Sequence, residues 1–206
     1  MKPYAVPART TRVETVVVNS RFIATTGRAD SVDEAKAFIQ AVRDEMPDAT
    51  HHVYAFKVGY GGSVIEGMSD DGEPSGTSGP PVLAVLRGAD VGDIVVVVTR
   101  YFGGTKLGTG GLVRAYSGAA KEVLAALPLE LKIEKSAVGV TVAYSHYERL
   151  RQLLAAHQAE IEDEAFAADV TVFARLPADQ VEPLAAAVQN LTAGSSAVII
   201  LDESGG

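Results

Sequence analysis

The sequence contains no cysteine and no tryptophan. The first absence excludes disulfide staples, thiolate nucleophiles and cysteine-ligated zinc, so other side chains must supply stability and any chemistry. No apolar stretch approaches the roughly 18–20 residues that cross a bilayer. The opening MKPYAVPART places two prolines where the apolar core of a signal peptide would stand. The expectation is a cytoplasmic protein that makes no membrane contact. Positive charge is scarce in one part of the chain: residues 136–206 carry three Lys and Arg against ten Asp and Glu, net −7, whereas residues 1–135 carry 15 against 16, net −1. Because phosphate neutralisation dominates nucleic-acid affinity, contact with a polyanion is expected from the first part. The acidic second part suits a basic protein partner better.

Apolar residues make up 47% of the 206 positions and charged residues 21%, enough to build two small cores. Domains are expected at 1–135 and 136–206, the latter ending in a frayed DESGG tail. In the first, VETVVV and RFIATT read as strands joined at Asn19-Ser20. Ser31 and Glu34 form a capping box for a helix whose apolar residues Val32, Ala35, Phe38, Ile39 and Val42 recur at helical spacing. HHVYAFKV and SVIEG read as a strand pair turning at GYGG, Pro81 starts a short helix, and DIVVVVT, with no polar alternation, reads as a strand covered on both faces. A further helix is expected from about Gly111 to Leu127, closed by Pro128. Beyond Lys132 the order is strand, helix capped by Ser145 with Glu148, two strands, helix, strand. This βαββαβ succession predicts a ferredoxin-like sheet with helices on one face, and the class of the whole chain is α+β.

Two stretches carry candidate chemistry. TRYFGGTKLGTGGLVRAY, residues 99–116, follows the valine strand and packs five glycines into positions 103–111. A glycine-rich turn into a helix leaves the first amides of that helix unpaired at the positive end of its dipole, a place that attracts anions. Gly108, Gly110 and Gly111 let the backbone approach a ligand, Thr109 can cap the helix or donate its hydroxyl, and Arg100, Lys106 and Arg114 supply positive charge. Between Arg100 and Lys121 there are four basic residues and no acid. The P-loop and G-x-G-x-x-G fingerprints do not fit, and a plain strand-to-helix connection packed through glycine is the competing reading. Tyr101-Phe102 can stack a base or pack inward.

DDGEPSGTSGPP, residues 70–81, is loop chemistry: Asp70, Asp71 and Glu73 are its acids, and Ser75, Thr77 and Ser78 its hydroxyls. The acids do not follow EF-hand spacing, and no H-E-x-x-H occurs, so neither a metal nor a cofactor is expected. A turn braced by nearby arginines accounts for them. Ser75 or Ser78 with His51 or His52 is the serine-nucleophile alternative, although the local strings are not a nucleophile elbow.

These strings resemble the IMPACT/YigZ family: NSRFIA at 19–24, ATHHVYAF at 49–56, SDDGEPSGTSGPPVL at 69–83 and VVVTRYFGGTKLGTGGLVRAYSGAA at 96–120. Ser78 and Pro80 stand where the family pattern has Ala and a basic residue. The resemblance implies a first domain of the fold shared by a domain of elongation factor G, a small-subunit ribosomal protein and the GHMP kinases, in which a glycine-rich loop before a helix cradles phosphate. It implies a ferredoxin-like second domain, as in bacterial members. Eukaryotic relatives regulate translation by modulating a stress-responsive kinase of initiation, through a further N-terminal domain.

The leading expectation is a non-catalytic, translation-associated binding protein that engages RNA or ribosome phosphate through the basic glycine loop. An enzyme acting on a small phosphorylated or acylated substrate, with Asp70, Asp71 or Ser75 supplying chemistry, is the first rival. A protein-interaction module using the acidic second domain is the other.

Overall fold

The computed structural model describes residues 3–201; the DESGG tail expected to fray lies outside them. The chain divides into two compact units, the first spanning Tyr4–Lys132 and the second beginning at Ile133.

The first unit opens with β1 (Tyr4–Pro7), β2 (Thr11–Val17), β3 (Ser20–Arg28) and α1 (Val32–Glu45). The capping box forms at α1: Ser31 Oγ accepts from the Glu34 amide at 3.1 Å, and Glu34 Oε2 accepts from the Asp30 amide at 2.8 Å. There follow β4 (His51–Tyr60), β5 (Ser63–Ser69), α2 (Gly79–Gly88), β6 (Ile94–Tyr101), α3 (Gly108–Ala126) and β7 (Leu129–Lys132). Five strands form one antiparallel sheet in the order β2-β3-β6-β4-β5. Both β3 and β4 run antiparallel to β6, so they are parallel to each other, and β3-α1-β4 is a βαβ unit with β6 inserted between its strands.

The valine run is central because it is covered twice. Val95 and Val97 pack with Ile39 and Val42 of α1, whereas Ile94, Val96 and Val98 pack with Leu86 of α2 and Tyr116 of α3. Each fully buried valine contributes about 1.5–3 kcal/mol, and a polar residue on either face would meet a dry layer.

One local reading is corrected here. The β2–β3 turn is Val18-Asn19, one residue earlier than expected, because Val17 pairs with Ser20 and both turn residues take positive φ, 46° and 64°. A two-residue hairpin demands that geometry. In addition, β1 and β7 pair antiparallel, Tyr4 opposite Lys132, joining the two ends of the unit. Asp93, almost fully buried, accepts from Tyr4 Oη at 2.7 Å, Lys132 Nζ at 2.6 Å and the Gly59 amide at 2.7 Å, which ties this ribbon to the main sheet.

The second unit contains β8 (Lys135–Val142), α4 (Tyr144–Ala156), β9 (Glu160–Phe166), β10 (Val170–Pro177), α5 (Val181–Leu191) and β11 (Val198–Leu201). Its antiparallel order, β11-β8-β10-β9, is the ferredoxin-like arrangement, with the first and third strands at the centre. Val138, Val140 and Val172 pack against Leu150 and Leu154 of α4 and Leu184 of α5. Ser145 does not cap α4: the helix starts two residues earlier than that cap implies, with Ala143 as its cap residue and no side-chain cap bond, so Ser145 lies inside the first turn.

Asp93→Ala leaves the Lys132 ammonium and the Tyr4 hydroxyl without their buried acceptor. A loss of about 3 kcal/mol in the unfolding free energy of the first unit is expected, measured by urea denaturation.

Candidate functional site: a cavity at the start of α3

Strand register builds the base of the site. Phe22 of β3 and His51 of β4 each pair with Arg100 of β6. Strand alternation puts Arg100 on the face of Val96 and Val98, toward α3. The Arg100 guanidinium lies 5.4 Å from the Phe22 ring centroid and 5.5 Å from that of Phe102. Arg100 is only 5% exposed. Its charge is met by Glu73: Nη1 donates to Glu73 Oε1 at 2.6 Å, and Nη2 reaches Ser20 Oγ at 3.2 Å. Tyr116 of α3 donates its hydroxyl to the same Glu73 Oε1 at 2.7 Å. Burial, followed by this carboxylate contact, pushes the Tyr116 phenol well above its ordinary pKa, so it stays a donor. Among the described residues, no hydrogen bond reaches Glu73 Oε2, and Arg100 Nε is buried without a partner.

The loop 70–81 holds Glu73 in place. Asp70 Oδ1 accepts from the Ser78 amide at 3.0 Å, the Ser78 hydroxyl at 2.7 Å and the Gly79 amide at 2.8 Å, while Oδ2 accepts from the Gly76 amide at 2.8 Å. Burial works against ionisation of Asp70, but the donors from Gly76, Ser78 and Gly79 outweigh it and hold the carboxyl below the usual range. Asp71, at φ 44°, stitches the loop to its neighbours: Oδ1 accepts from Arg43 at 2.6 Å and Oδ2 from the His52 amide at 2.6 Å. Thr77 turns back to the Pro74 carbonyl at 2.6 Å. Ser75 is exposed on the outside of the loop.

The two histidines diverge, as neighbours on a strand must. His52 is buried on the α1 side with Nδ1 3.1 Å from Thr99 Oγ1, and burial lowers its pKa. His51 places Nδ1 2.8 Å from the Asp71 carbonyl oxygen. A carbonyl can only accept, so Nδ1 carries the proton. That leaves Nε2, 3.9 Å from Glu73 Oε2.

The glycine loop closes the site. Gly103 is a packing glycine, since a Cβ there would stand 2.1 Å from the Asn19 backbone. Gly108, at φ 69°, turns the chain into the helix. The helix α3 begins at Gly108, three residues before the Gly111 start expected from sequence, with Leu107 as cap residue and no side-chain cap bond. Thr109 therefore lies inside the first turn with Gly110 and Gly111, and the earliest amides of the helix have no intrahelical acceptor.

A cavity of about 440 Å³ opens at this helix start. His51, Glu73 and Arg100 form one wall, and Lys106, Gly108 and Thr109 another; Phe102, Leu107 and Leu112 supply apolar surface. Segments 70–81 and 100–114 thus meet. Of the residues singled out from sequence, Arg100, Lys106, Gly108, Thr109 and Glu73 line the cavity; Gly110, Gly111, Arg114, Asp70, Asp71, Ser75 and Thr77 do not. Arg100 is paired rather than free, because Glu73 approaches it from a loop 27 positions earlier. Lys106 and Arg114 form no ion pair among the described residues. Sequence reasoning missed Tyr116 as the second holder of Glu73; Phe102, expected either to stack a base or to pack inward, stands exposed at the cavity wall, and the strand register through Arg100 brings His51 to the same site. No set of three His, Asp or Glu side chains among the described residues can hold a metal ion. Nor is any described helix long and apolar enough to cross a membrane.

Comparison with known proteins assigns the chain. The model of the Impact N-terminal domain matches residues 18–124, and a domain of unknown function, DUF1949, matches residues 140–195. The chain belongs to the IMPACT family. IMPACT family member YigZ of Escherichia coli (strain K12) is 37% identical over 204 residues, 98% of this chain and 100% of the relative. YvyE of Bacillus subtilis (strain 168) is 46% identical over 111 residues, 54% of this chain and 51% of the relative. A crystal structure described as that of a hypothetical protein matches with TM-score 0.73 and 37% identity, over 99% of this chain and 100% of that one. All residues lining the cavity fall inside the segment that carries the IMPACT domain match.

Two outcomes follow from the loop. Glu73→Ala strands a buried guanidinium and is expected to cost the first unit about 3–5 kcal/mol in urea denaturation, with Glu73→Gln, which keeps an acceptor, costing less. Asp70 binds its proton more weakly when folded, so the stability it confers is present above about pH 4 and is lost as pH falls through its lowered folded value. Asp70→Asn is expected to flatten that part of the acid unfolding curve.

Proposed function

We propose that this IMPACT family protein is a translation-associated binding protein whose first domain takes a phosphate group of RNA or the ribosome at the start of α3. One observation carries the reading: the uncapped first turn of a 19-residue helix opens into a cavity beside Lys106, a cation without an ion pair among the described residues. Free amides and the helix dipole favour an anion there. Arg100 contributes indirectly, by cancelling the charge of Glu73 that would otherwise repel phosphate. Arg114, exposed on α3 outside the cavity, is suited to a neighbouring backbone phosphate. Family membership supports the translation setting that the resemblance to the family implies. The acidic charge of residues 136–206 supports a basic protein partner for the second domain, ribosomal proteins included. The rival reading of an enzyme built on Asp70, Asp71 or Ser75 draws no support from a geometry in which the first two hold the loop together and the third is solvent-exposed and not part of the cavity lining.

Lys106→Ala is expected to weaken RNA or ribosome binding several-fold and to reduce the slope of log affinity against log salt by about one. Filter binding across a salt series checks this; an unchanged slope and affinity would refute the assignment. Arg100→Ala is unsuitable for the purpose, because it would unpair a buried carboxylate.

A further inference from the structure

Across the cavity from the helix start stand two acceptor atoms that no protein donor reaches among the described residues. With Nδ1 donating to the Asp71 carbonyl, the neutral His51 ring presents its Nε2 lone pair to the cavity. Glu73 Oε2 belongs to a side chain only 4% exposed and has no hydrogen-bond donor among the described residues, since both Arg100 and Tyr116 reach Oε1. The two acceptors are 3.9 Å apart. One group offering two adjacent donors can satisfy both at ordinary hydrogen-bond lengths of about 2.8 Å. That group must be neutral, because a cation would face Lys106 and the positive end of α3. Phe102, 47% exposed at the cavity wall, adds a flat apolar face beside them.

We propose that the cavity is a ribonucleotide site: a 5′-phosphate on the first-turn amides of α3 and Lys106, the ribose cis-diol donating to His51 Nε2 and Glu73 Oε2, and the base stacked on Phe102. This rests on the phosphate reading above and names its ligand class. Each part meets a different need. The phosphate answers the uncapped helix, two vicinal hydroxyls answer two acceptors, and an aromatic base answers an exposed ring whose stacking tolerates any base. The volume of about 440 Å³ lies within the range of small-ligand pockets, about 300–1,000 Å³. The larger groove of about 600 Å³ beside Ala84, Val85 and Val113 offers no such convergence of polar groups.

The test titrates the full chain calorimetrically with AMP, 2′-deoxy-AMP and inorganic phosphate. AMP is expected to bind at least about fivefold more tightly than its deoxy form, the loss expected from one hydrogen bond to a charged or buried acceptor. In His51→Asn, whose amide still donates to the Asp71 carbonyl, that preference falls to near one; Ser75→Ala, outside the cavity, retains it. Equal affinity of the wild-type chain for AMP and deoxy-AMP, with phosphate still bound, overturns the ribose assignment and leaves the phosphate reading standing. Failure of all three to bind overturns both. An oligoribonucleotide with a free 3′-terminal diol that competes with AMP, when its 3′-phosphorylated form does not, identifies an RNA end as the source of the ligand; without such competition the source is a free nucleotide.

Discussion

A single buried ion pair, Arg100 with Glu73, organises the first domain. The guanidinium comes from the central strand and the carboxylate from a loop that has no regular structure of its own. Neither charge tolerates burial alone, so the strand can carry Arg100 among valines only if the loop delivers Glu73. The loop can do so only because Asp70 and Asp71 fold it onto α2, α1 and β4. Tyr116 adds the third anchor from α3. Sheet, acidic loop and glycine-started helix are thereby locked to one carboxylate oxygen.

The arrangement has an electrostatic consequence. The pair is neutral as a unit, so the excess positive character of the cavity comes from Lys106 and the start of α3, both of which remain available. A cavity with its own acid already compensated can accept a phosphate without repelling it, while the second oxygen of that acid still accepts hydrogen bonds from neutral hydroxyls. Charge neutralisation and ligand recognition are divided between the two oxygens of one residue.

Much of this fold was legible because its signals are local or periodic. The valine run announced a strand covered twice, Ser31 with Glu34 announced α1, and the βαββαβ succession announced the ferredoxin-like second unit, whose strand order bears it out. What stayed hidden depends on contacts distant in sequence. The β1–β7 ribbon joins two four-residue strands from opposite ends of the unit, each too short to register as periodicity. Low helix propensity made Gly108 to Gly110 read as loop, although packing of Leu112 and Tyr116 accompanies a helix that begins at Gly108. The basic run Arg100, Lys106, Arg114 was visible as composition. That Arg100 and Lys106 both line the cavity, Arg100 already neutralised, while Arg114 lies outside it is a matter of register and helix face, which composition does not encode.

The account stands on amides at the start of α3 being free to hold a phosphoryl group. The most direct measurement is amide-resolved NMR of the whole chain titrated with inorganic phosphate. The amide resonances of Gly108, Thr109 and Gly110 should move together and saturably, with smaller changes elsewhere in the first domain. Saturable shifts confined to other surfaces, with these three amides unmoved, would contradict it.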